Sequence, residues 1–330
     1  MVKILQVGLG PLGQKTVQFA IQRGFRIVAA VDSSPNMVGR DLGDVCGLKP
    51  MGVKISATVK EALKKKRADI AVVTTVSSLA KMDALVAEIA QQKLSIVSTC
   101  EELSFPWNIQ SARAKKLDKL CKKHKISLLG TGVNPGYLMD YLPTVLTAVS
   151  KKVESIQVWR VQNASIRRIP FQQKIGAGLT LEEFKKKQKA GTLRHVGLPE
   201  SVDFIAARMG WKLTKKTETL NPIIAEQDIL TGYKPIKTGM ACGVEQIGKG
   251  YIGKREMISL NFRAAVGEEK SYDTILITGE PTIKSTIEGG VNGDVATCSI
   301  TLNAIQSVLL ARPGLVTMSD IVAVAYSETV

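Results

Sequence analysis

The run Gly8-Leu9-Gly10-Pro11-Leu12-Gly13 constrains this chain more than any other stretch, because of what flanks it. A short apolar run, Ile4 to Val7, precedes it; an amphipathic stretch, Gln14 to Gln22, follows; a second apolar run, Phe25 to Val31, ends on Asp32. The order reads strand, glycine turn, helix, strand, acid. Glycine at position 8 permits the tight turn, glycine at 10 lets the main chain approach a pyrophosphate, and glycine at 13 lets the helix lie close to the sheet. The helix start at Pro11 and Leu12 adds first-turn N–H groups and the positive end of the helix dipole. Asp32 stands where a carboxylate accepts hydrogen bonds from an adenosine ribose. A glycine fingerprint alone is weak evidence, but here every flanking element agrees with a dinucleotide site.

Further along, Asp69 to Val76 is β-branched and closes on Thr74-Thr75, a helix reads from Leu79 to Gln92, and Leu94 to Cys100 is a further strand. A helix from about Pro106 to Lys122 and a strand from Ile126 to Leu129 complete the pattern. Strands alternating with helices at this spacing imply an α/β fold, a doubly wound parallel sheet of the Rossmann type. Ligands of such sheets lie beyond the carboxyl ends of the strands. That rule gathers Gly8 to Gly13, Asp32, Thr74, Thr75, Thr99 to Glu102 and the loop containing Asn134 and Gly136 onto one rim. Arg40 offers a cation for the extra phosphate of NADP, or is a solvated loop residue; Asp32 opposes that phosphate and favours NAD.

From about Pro135 the pattern changes. Val153 to Gln162 reads as a strand, Ile258 to Val266 alternates apolar and polar residues, and Tyr272 to Thr278 reads as the neighbour of that second strand. Thr180-Leu181-Glu182-Glu183 has capping-box spacing and opens a lysine-rich helix to about Ala190, as Thr58-Val59-Lys60-Glu61 opens a short one. Residues 1–135 are thus expected to form the dinucleotide-binding domain and 136–293 an α+β domain on a mostly antiparallel sheet, for substrate and dimerisation. A helix from Asp294 to Ala311, within 294–330, is expected to pack back on the first domain. An antiparallel sheet with one open face makes a homodimer the expected assembly.

The strand end Ser98-Thr99-Cys100-Glu101-Glu102 is where chemistry is expected. A nicotinamide would lie over Thr99 and Cys100, and one glutamate would stand beside its reactive face. Amine oxidation passes through a positively charged carbon–nitrogen double bond, which a carboxylate stabilises, and the same group can move protons. Extended backbone points successive side chains apart, so one of Glu101 and Glu102 faces the site, and the sequence does not say which. The competing role is an acid at a helix start, paired with the dipole. A Cys100 thiolate attacking an aldehyde is disfavoured by the adjacent acids. In the second domain, Arg160 to Gln172 concentrates guanidiniums and amides. Arg167 or Arg168 suits a substrate carboxylate, Asn163 an amino or carbonyl group, and Phe171 an apolar wall, with a domain-interface ion pair as the alternative. His195 is either a hydrogen-bonder to substrate or a structural histidine.

Composition narrows the partners. The formal net charge is +16, with lysines grouped at Lys64 to Lys66, Lys115-Lys116, Lys122-Lys123 and Lys185 to Lys189. These runs fall on helix faces without interleaved aromatics, so they read as solvated surface and attraction for anionic cofactor, not as a nucleic-acid footprint. No apolar run reaches membrane-spanning length. The five cysteines are scattered, with no metal spacing, and read as reduced thiols of a cytoplasmic chain.

With these residues in view, the chain resembles the 2,4-diaminopentanoate dehydrogenase family, relatives of dihydrodipicolinate reductase that include the native amine dehydrogenases. The resemblance rests on VGLGPLG, VSTCEELSFPW, GTGVNPGYLMD, RRIPFQQKIGAGLT, RHVGLPES and ARPGLVTMSD. It implies NAD(P)-dependent oxidation of the 4-amino group of 2,4-diaminopentanoate to a ketone with release of ammonia, and the reverse reductive amination of ketones. It places the catalytic glutamate on the Glu101-Glu102 pair. The paired histidine of dihydrodipicolinate reductase is absent, and homoserine dehydrogenase carries a lysine where these glutamates stand. A keto or aldehyde reductase on the same scaffold, or a silent dinucleotide sensor, are the alternatives.

Overall fold

A computed structural model describes residues 1–167, 169–193, 195–232 and 234–328. The chain divides into two compact units, Met1–Tyr137 with Asn292–Val330, and Leu138–Val291.

The first unit alternates strands and helices: β1 (Lys3–Val7), α1 (Pro11–Gln22), β2 (Arg26–Val31), α2 (Leu42–Val45), β3 (Ile55–Ser56), α3 (Val59–Ala62), β4 (Ile70–Val73), α4 (Asp83–Gln91), β5 (Ser95–Ser98), α5 (Ser111–His124) and β6 (Ser127–Gly130). After the second unit the chain returns as α10 (Gly293–Leu309) and β13 (Gly314–Val316). The sheet runs β13-β6-β5-β4-β1-β2-β3, and every pairing is parallel. Its centre is apolar throughout, as parallel strands covered on both faces require. Ile70, Ala71, Val72 and Val73 are all 0% exposed. Leu79, Met82, Val86 and Ile89 pack into the same core with Leu117 and Cys121 of α5. Asn292 caps α10 by accepting from the N–H groups of Asp294 and Val295, and α10 lies on α1, where the Thr16 hydroxyl donates to Cys298 Sγ at 3.3 Å.

Three boundaries differ from the sequence reading. The helix expected from Pro106 begins only at Ser111, because the residues before it form turns. The stretch from Leu79 opens as a 3-10 turn, Leu79–Lys81, before α4. Gly314–Val316, left unassigned after the helix expected to end at about Ala311, pairs with β6 as the last strand of the sheet.

The second unit contains α6 (Tyr141–Leu146), β7 (Lys152–Asn163), α7 (Ile169–Lys174), α8 (Leu181–Lys189), α9 (Leu198–Arg208), β8 (Lys215–Ile224), β9 (Ala241–Ile252), β10 (Arg255–Ala265), β11 (Tyr272–Glu280) and β12 (Ile283–Glu288). Its sheet order is β12-β11-β7-β10-β9-β8. Only β10 and β7 run parallel; the other pairings are antiparallel. The expectation that Tyr272 to Thr278 neighbours Ile258 to Val266 is corrected: β7 lies between them, Ile258 facing Ile156 and Ile275 facing Val158. Side-chain alternation identifies a strand but carries no information about which strand it joins. On β10, Ile258, Leu260, Phe262 and Ala264 are buried while Ser259, Asn261 and Arg263 are half exposed. Helix α9 covers the buried face, and Gly248 and Gly250 make room for it: a Cβ at Gly248 would lie 3.0 Å from Leu198 Cγ, and one at Gly250 3.2 Å from Val202 Cγ1. The capping box at Thr180 and Glu183 is complete, each side chain accepting from the other's N–H.

Candidate active site

In the first unit, the glycine turn is held from below by buried polar side chains. Gly8 has φ +88°, and a Cβ there would lie 2.6 Å from the Thr74 carbonyl oxygen. A Cβ at Gly13 would collide with the Gly8 carbonyl oxygen and lie 2.7 Å from Thr74 Oγ1. Thr74 Oγ1 donates to the Gly8 carbonyl at 2.9 Å, and Gln6 Nε2 donates to the same carbonyl at 3.0 Å and to Thr74 Oγ1 at 2.8 Å. Thr74 is therefore a buried support of the turn, whereas Thr75 is exposed at the strand end. Gln6 was passed over in the sequence, where the signal was a lone amide inside an otherwise apolar strand. Gly10 differs from its two companions: a Cβ there would meet nothing within 4 Å. The space above Gly10 and the first-turn amides of α1 is open, and its donors suit a diphosphate. The turn thus fits a dinucleotide by geometry as well as by pattern.

Asp32 is half buried at the end of β2. Its Oδ2 accepts from Leu9 N at 2.7 Å and its Oδ1 from Ser34 N at 2.8 Å. The carboxylate ties the glycine turn to the second strand, and each oxygen retains a lone pair for a ribose hydroxyl. Arg40 lies exposed on the loop that follows; among the described residues its backbone alone is engaged, with Met37 and Ile55.

The two glutamates are unlike. They open a 3-10 turn, Glu101–Leu103, directly after β5. Glu102 Oε2 accepts from Leu79 N at 2.9 Å and from Gln110 Nε2 at 2.7 Å, so this side chain closes the start of the Leu79 turn. Glu101 is half buried, and its carboxylate makes no hydrogen bond or ion pair among the described residues. The two acids that the sequence left undistinguished thus differ in engagement, Glu102 being bonded at a turn start and Glu101 not.

The Cys100 side chain is 2% exposed, belongs to the apolar core, and donates to the Ser77 carbonyl at 3.2 Å. Burial, with the Glu101 charge adding to it, pushes the thiol up to about 12, which removes it as a nucleophile at neutral pH. Thr99 beside it is half buried and bonded through its N–H to Val73 O. The loop after β6 packs under the same turn, since a Cβ at Gly130 would lie 2.6 Å from the Leu103 carbonyl carbon. Asn134 is 7% exposed on that loop, and Gly136 has φ +118°. Thr297 of α10 accepts from Val133 N at 3.3 Å, a contribution to the rim that strand-end reasoning missed.

In the second unit, β7 leads into the guanidinium-rich loop. Arg160 is 3% exposed and pairs with Asp273, 4% exposed, at 2.7 Å. Its second nitrogen donates to the Val291 carbonyl at 3.0 Å, while Asp273 accepts from Val291 N at 2.8 Å. Burial pushes Arg160 down and Asp273 up; each partner's charge opposes that shift, and Arg167 pushes Arg160 further down. Arg160 is thus neutralised within the fold, and Arg167 is the neighbouring positive charge. The Arg167 guanidinium lies over the Phe171 ring, 4.1 Å from its centroid. Asn163 spends its carbonyl oxygen on Ser165 N at 2.8 Å. Arg168 lies outside the described residues. The His195 ring stacks on Phe262 with centroids 4.5 Å apart. Its backbone exchanges two bonds with the Gln246 side chain, at 2.7 and 3.0 Å. Asp140 and Glu200, 1% and 5% exposed, are buried acids that the sequence reading did not single out. Asp140 accepts from the Ser201 hydroxyl at 2.9 Å and from Tyr141 N at 2.6 Å.

Comparison with known proteins agrees with this geometry. Residues 2–127 match the family model for the dihydrodipicolinate reductase N-terminus, and residues 137–328 that for the 2,4-diaminopentanoate dehydrogenase C-terminal domain. The 2,4-diaminopentanoate dehydrogenase of Acetoanaerobium sticklandii is 31% identical over 97% of this chain and 93% of its own length. Among solved structures, an amine dehydrogenase from Mycobacterium smegmatis superposes with a TM-score of 0.86 over 99% of this chain and 98% of its own, at 23% identity. A dihydrodipicolinate reductase from Paenisporosarcina sp. TG-14, bound to dipicolinate, has the same fold at a TM-score of 0.55 and 13% identity, over 98% of this chain and 100% of its own. With both units matched and the curated relative aligned almost end to end, the chain belongs to the 2,4-diaminopentanoate dehydrogenase family.

Proposed function

We propose that this chain is a nicotinamide-dependent amine dehydrogenase that oxidatively deaminates a small diamino acid, with 2,4-diaminopentanoate as its substrate, and runs the reductive amination of the corresponding ketone in reverse. The observation that carries this reading is the division of labour between Glu101 and Glu102. One carboxylate at the turn after β5 is committed to Leu79 and Gln110, and the other is left for chemistry.

The glycine turn, the first amides of α1 and Asp32 hold the dinucleotide; a bound nicotinamide supplies the hydride acceptor. Glu101 stabilises the positive charge that develops on the substrate's carbon–nitrogen bond, takes a proton from the water that adds to its carbon, and returns that proton to the nitrogen, so that the carbon–nitrogen bond breaks to give the ketone and ammonia. Arg167 provides the fork for the substrate carboxylate, and Phe171 limits the orientations of that fork. Asp32 carries a negative charge where NADP would place a phosphate, so NAD is the preferred form. Arg40 is too exposed and unconstrained to reverse that preference.

The test is direct. Reduced cofactor is followed at 2,4-diaminopentanoate saturation with NAD and with NADP, and the reverse reaction with and without ammonium. Turnover should be faster with NAD, and the reverse reaction should depend on ammonium. Ketone reduction that proceeds equally without ammonium would identify a keto reductase and end the amine assignment.

A further inference from the structure

We propose that Gln172 is a positioning residue, which shapes the Ala164–Arg167 loop so that the Arg167 guanidinium is presented to the substrate carboxylate. The inference rests on the reading of Arg167 as the carboxylate-binding residue.

Gln172 lies on α7 and is 5% exposed. Its Nε2 is 3.1 Å from the Ala164 carbonyl oxygen, 3.3 Å from that of Ser165 and 2.9 Å from that of Arg167. One amide nitrogen thus gathers three acceptors of the loop, those of Ala164, Ser165 and Arg167. Exchanging the amide's nitrogen and oxygen would set an acceptor against three acceptors, so the orientation is dictated by chemistry. The other end of the same group, Oε1, is buried and has no donor among the described residues. An unpaired buried acceptor is costly, and an apolar residue would avoid the cost. What the amide provides in return is the shape of the loop.

Ile166 at the apex of that loop is 85% exposed and Ala164 at its start is 0% exposed, so apolar burial anchors its beginning and not its tip. Further supports include the hydrogen bonds Ala164 N to Ala265 O at 2.7 Å, Arg167 N to Ala164 O at 3.0 Å, Ser165 N to Asn163 Oδ1 at 2.8 Å, and Gly267 N to Ser165 Oγ at 2.9 Å. Phe171, the stacking platform for the Arg167 guanidinium, is the residue next to Gln172. The same turn of α7 therefore fixes Arg167 at both ends, its carbonyl through Gln172 and its guanidinium through Phe171.

The experiment compares Gln172→Met, Gln172→Asn and Arg167→Met with the unmodified protein, using 2,4-diaminopentanoate and pentan-2-amine, which lacks the carboxylate. Competitive inhibition by pentanoate reads the same contact independently of turnover, and thermal melting reports folding. Gln172→Met should raise KM for the diamino acid and weaken pentanoate inhibition by about tenfold, the equivalent of one charge-adjacent hydrogen-bonding arrangement, with kcat nearly unchanged. Pentan-2-amine kinetics should not move. Gln172→Asn should fall between, and the effects of Gln172→Met and Arg167→Met should not add, because both act on one contact. If Arg167→Met discriminates between the substrates but Gln172→Met alters both equally or neither, the positioning role is overturned while the carboxylate reading stands. If Arg167→Met does not discriminate, the carboxylate reading fails and takes this proposal with it. Should Gln172→Met melt too low to assay, Gln172→Asn decides by the same substrate contrast.

Discussion

The glycine turn of the first unit and the arginine loop of the second, the two places where recognition is proposed, are built in opposite ways. In the turn, the recognising atoms are main-chain amides, and the side chains nearby serve as buttresses: Gln6, Thr74 and Asp32 all bond back onto it. In the loop, the recognising atoms sit at the end of a long side chain, and the main chain is what has to be restrained. The first design makes sensitivity to substitution sharply local, since a single Cβ either fits or does not. The second spreads it over several weak bonds.

The largest expected contrast lies between adjacent acids of the first unit. Glu101→Gln should lower kcat by about a hundredfold or more, the usual scale for removing a group that stabilises developing charge. Cofactor binding, read by fluorescence titration, should be unchanged. Glu102→Gln should keep most of the turnover, since its role is at Leu79 and Gln110. Equal losses in the two variants would erase the distinction drawn between them.

Next in size is the buried pair of the second unit. Asp273→Asn leaves Arg160 charged and uncompensated in the core, which costs about 3–5 kcal/mol in comparable settings, and chemical denaturation should register it. A loss below about 1 kcal/mol would place the pair with ordinary surface bridges.

Two glycine substitutions sharpen the account of the turn. Gly13→Ala forces a Cβ against the Gly8 carbonyl and should destabilise the fold by about 1–3 kcal/mol. Gly10→Ala meets no atom of the protein, so its melting temperature should stay near that of the parent while dinucleotide affinity falls. Retained affinity in Gly10→Ala would show that the cofactor does not pass over this residue. The smallest effect is expected at Cys100. With its thiol pushed up to about 12, it should resist alkylation in the native protein at neutral pH and react only on unfolding.

The same contrast explains what could be read from the sequence. The turn was legible because its requirements are steric and local: glycine spacing, a helix start, an acid at the next strand end. The parallel strands were legible because burial on both faces leaves continuous apolar runs. Which glutamate is tied into the fold was not legible, because Glu102 is fixed by Leu79 and Gln110, neither of which is near it in any pattern. β9 went unassigned because Gly248 and Gly250, which admit α9, interrupt its alternation. How deeply the Cys100 side chain is buried was not legible, because a strand-end position does not reveal whether it turns up to the rim or down into the core. Gln172 was quoted within a promising stretch, but its role depends on carbonyl oxygens that no residue identity announces.

The pairing of Gly314–Val316 with Ser127 to Leu129 has a consequence for biosynthesis. A nascent chain that has just completed β6 already contains the whole glycine turn and both glutamates, yet its outermost strand offers bare amides and carbonyls. That edge stays open while the ribosome makes everything from Leu138 to Val291, and it is closed only by the last short strand. The sheet of the first unit can therefore be completed only after its neighbour has been translated, and until then β6 is an open edge of the kind prone to unwanted pairing.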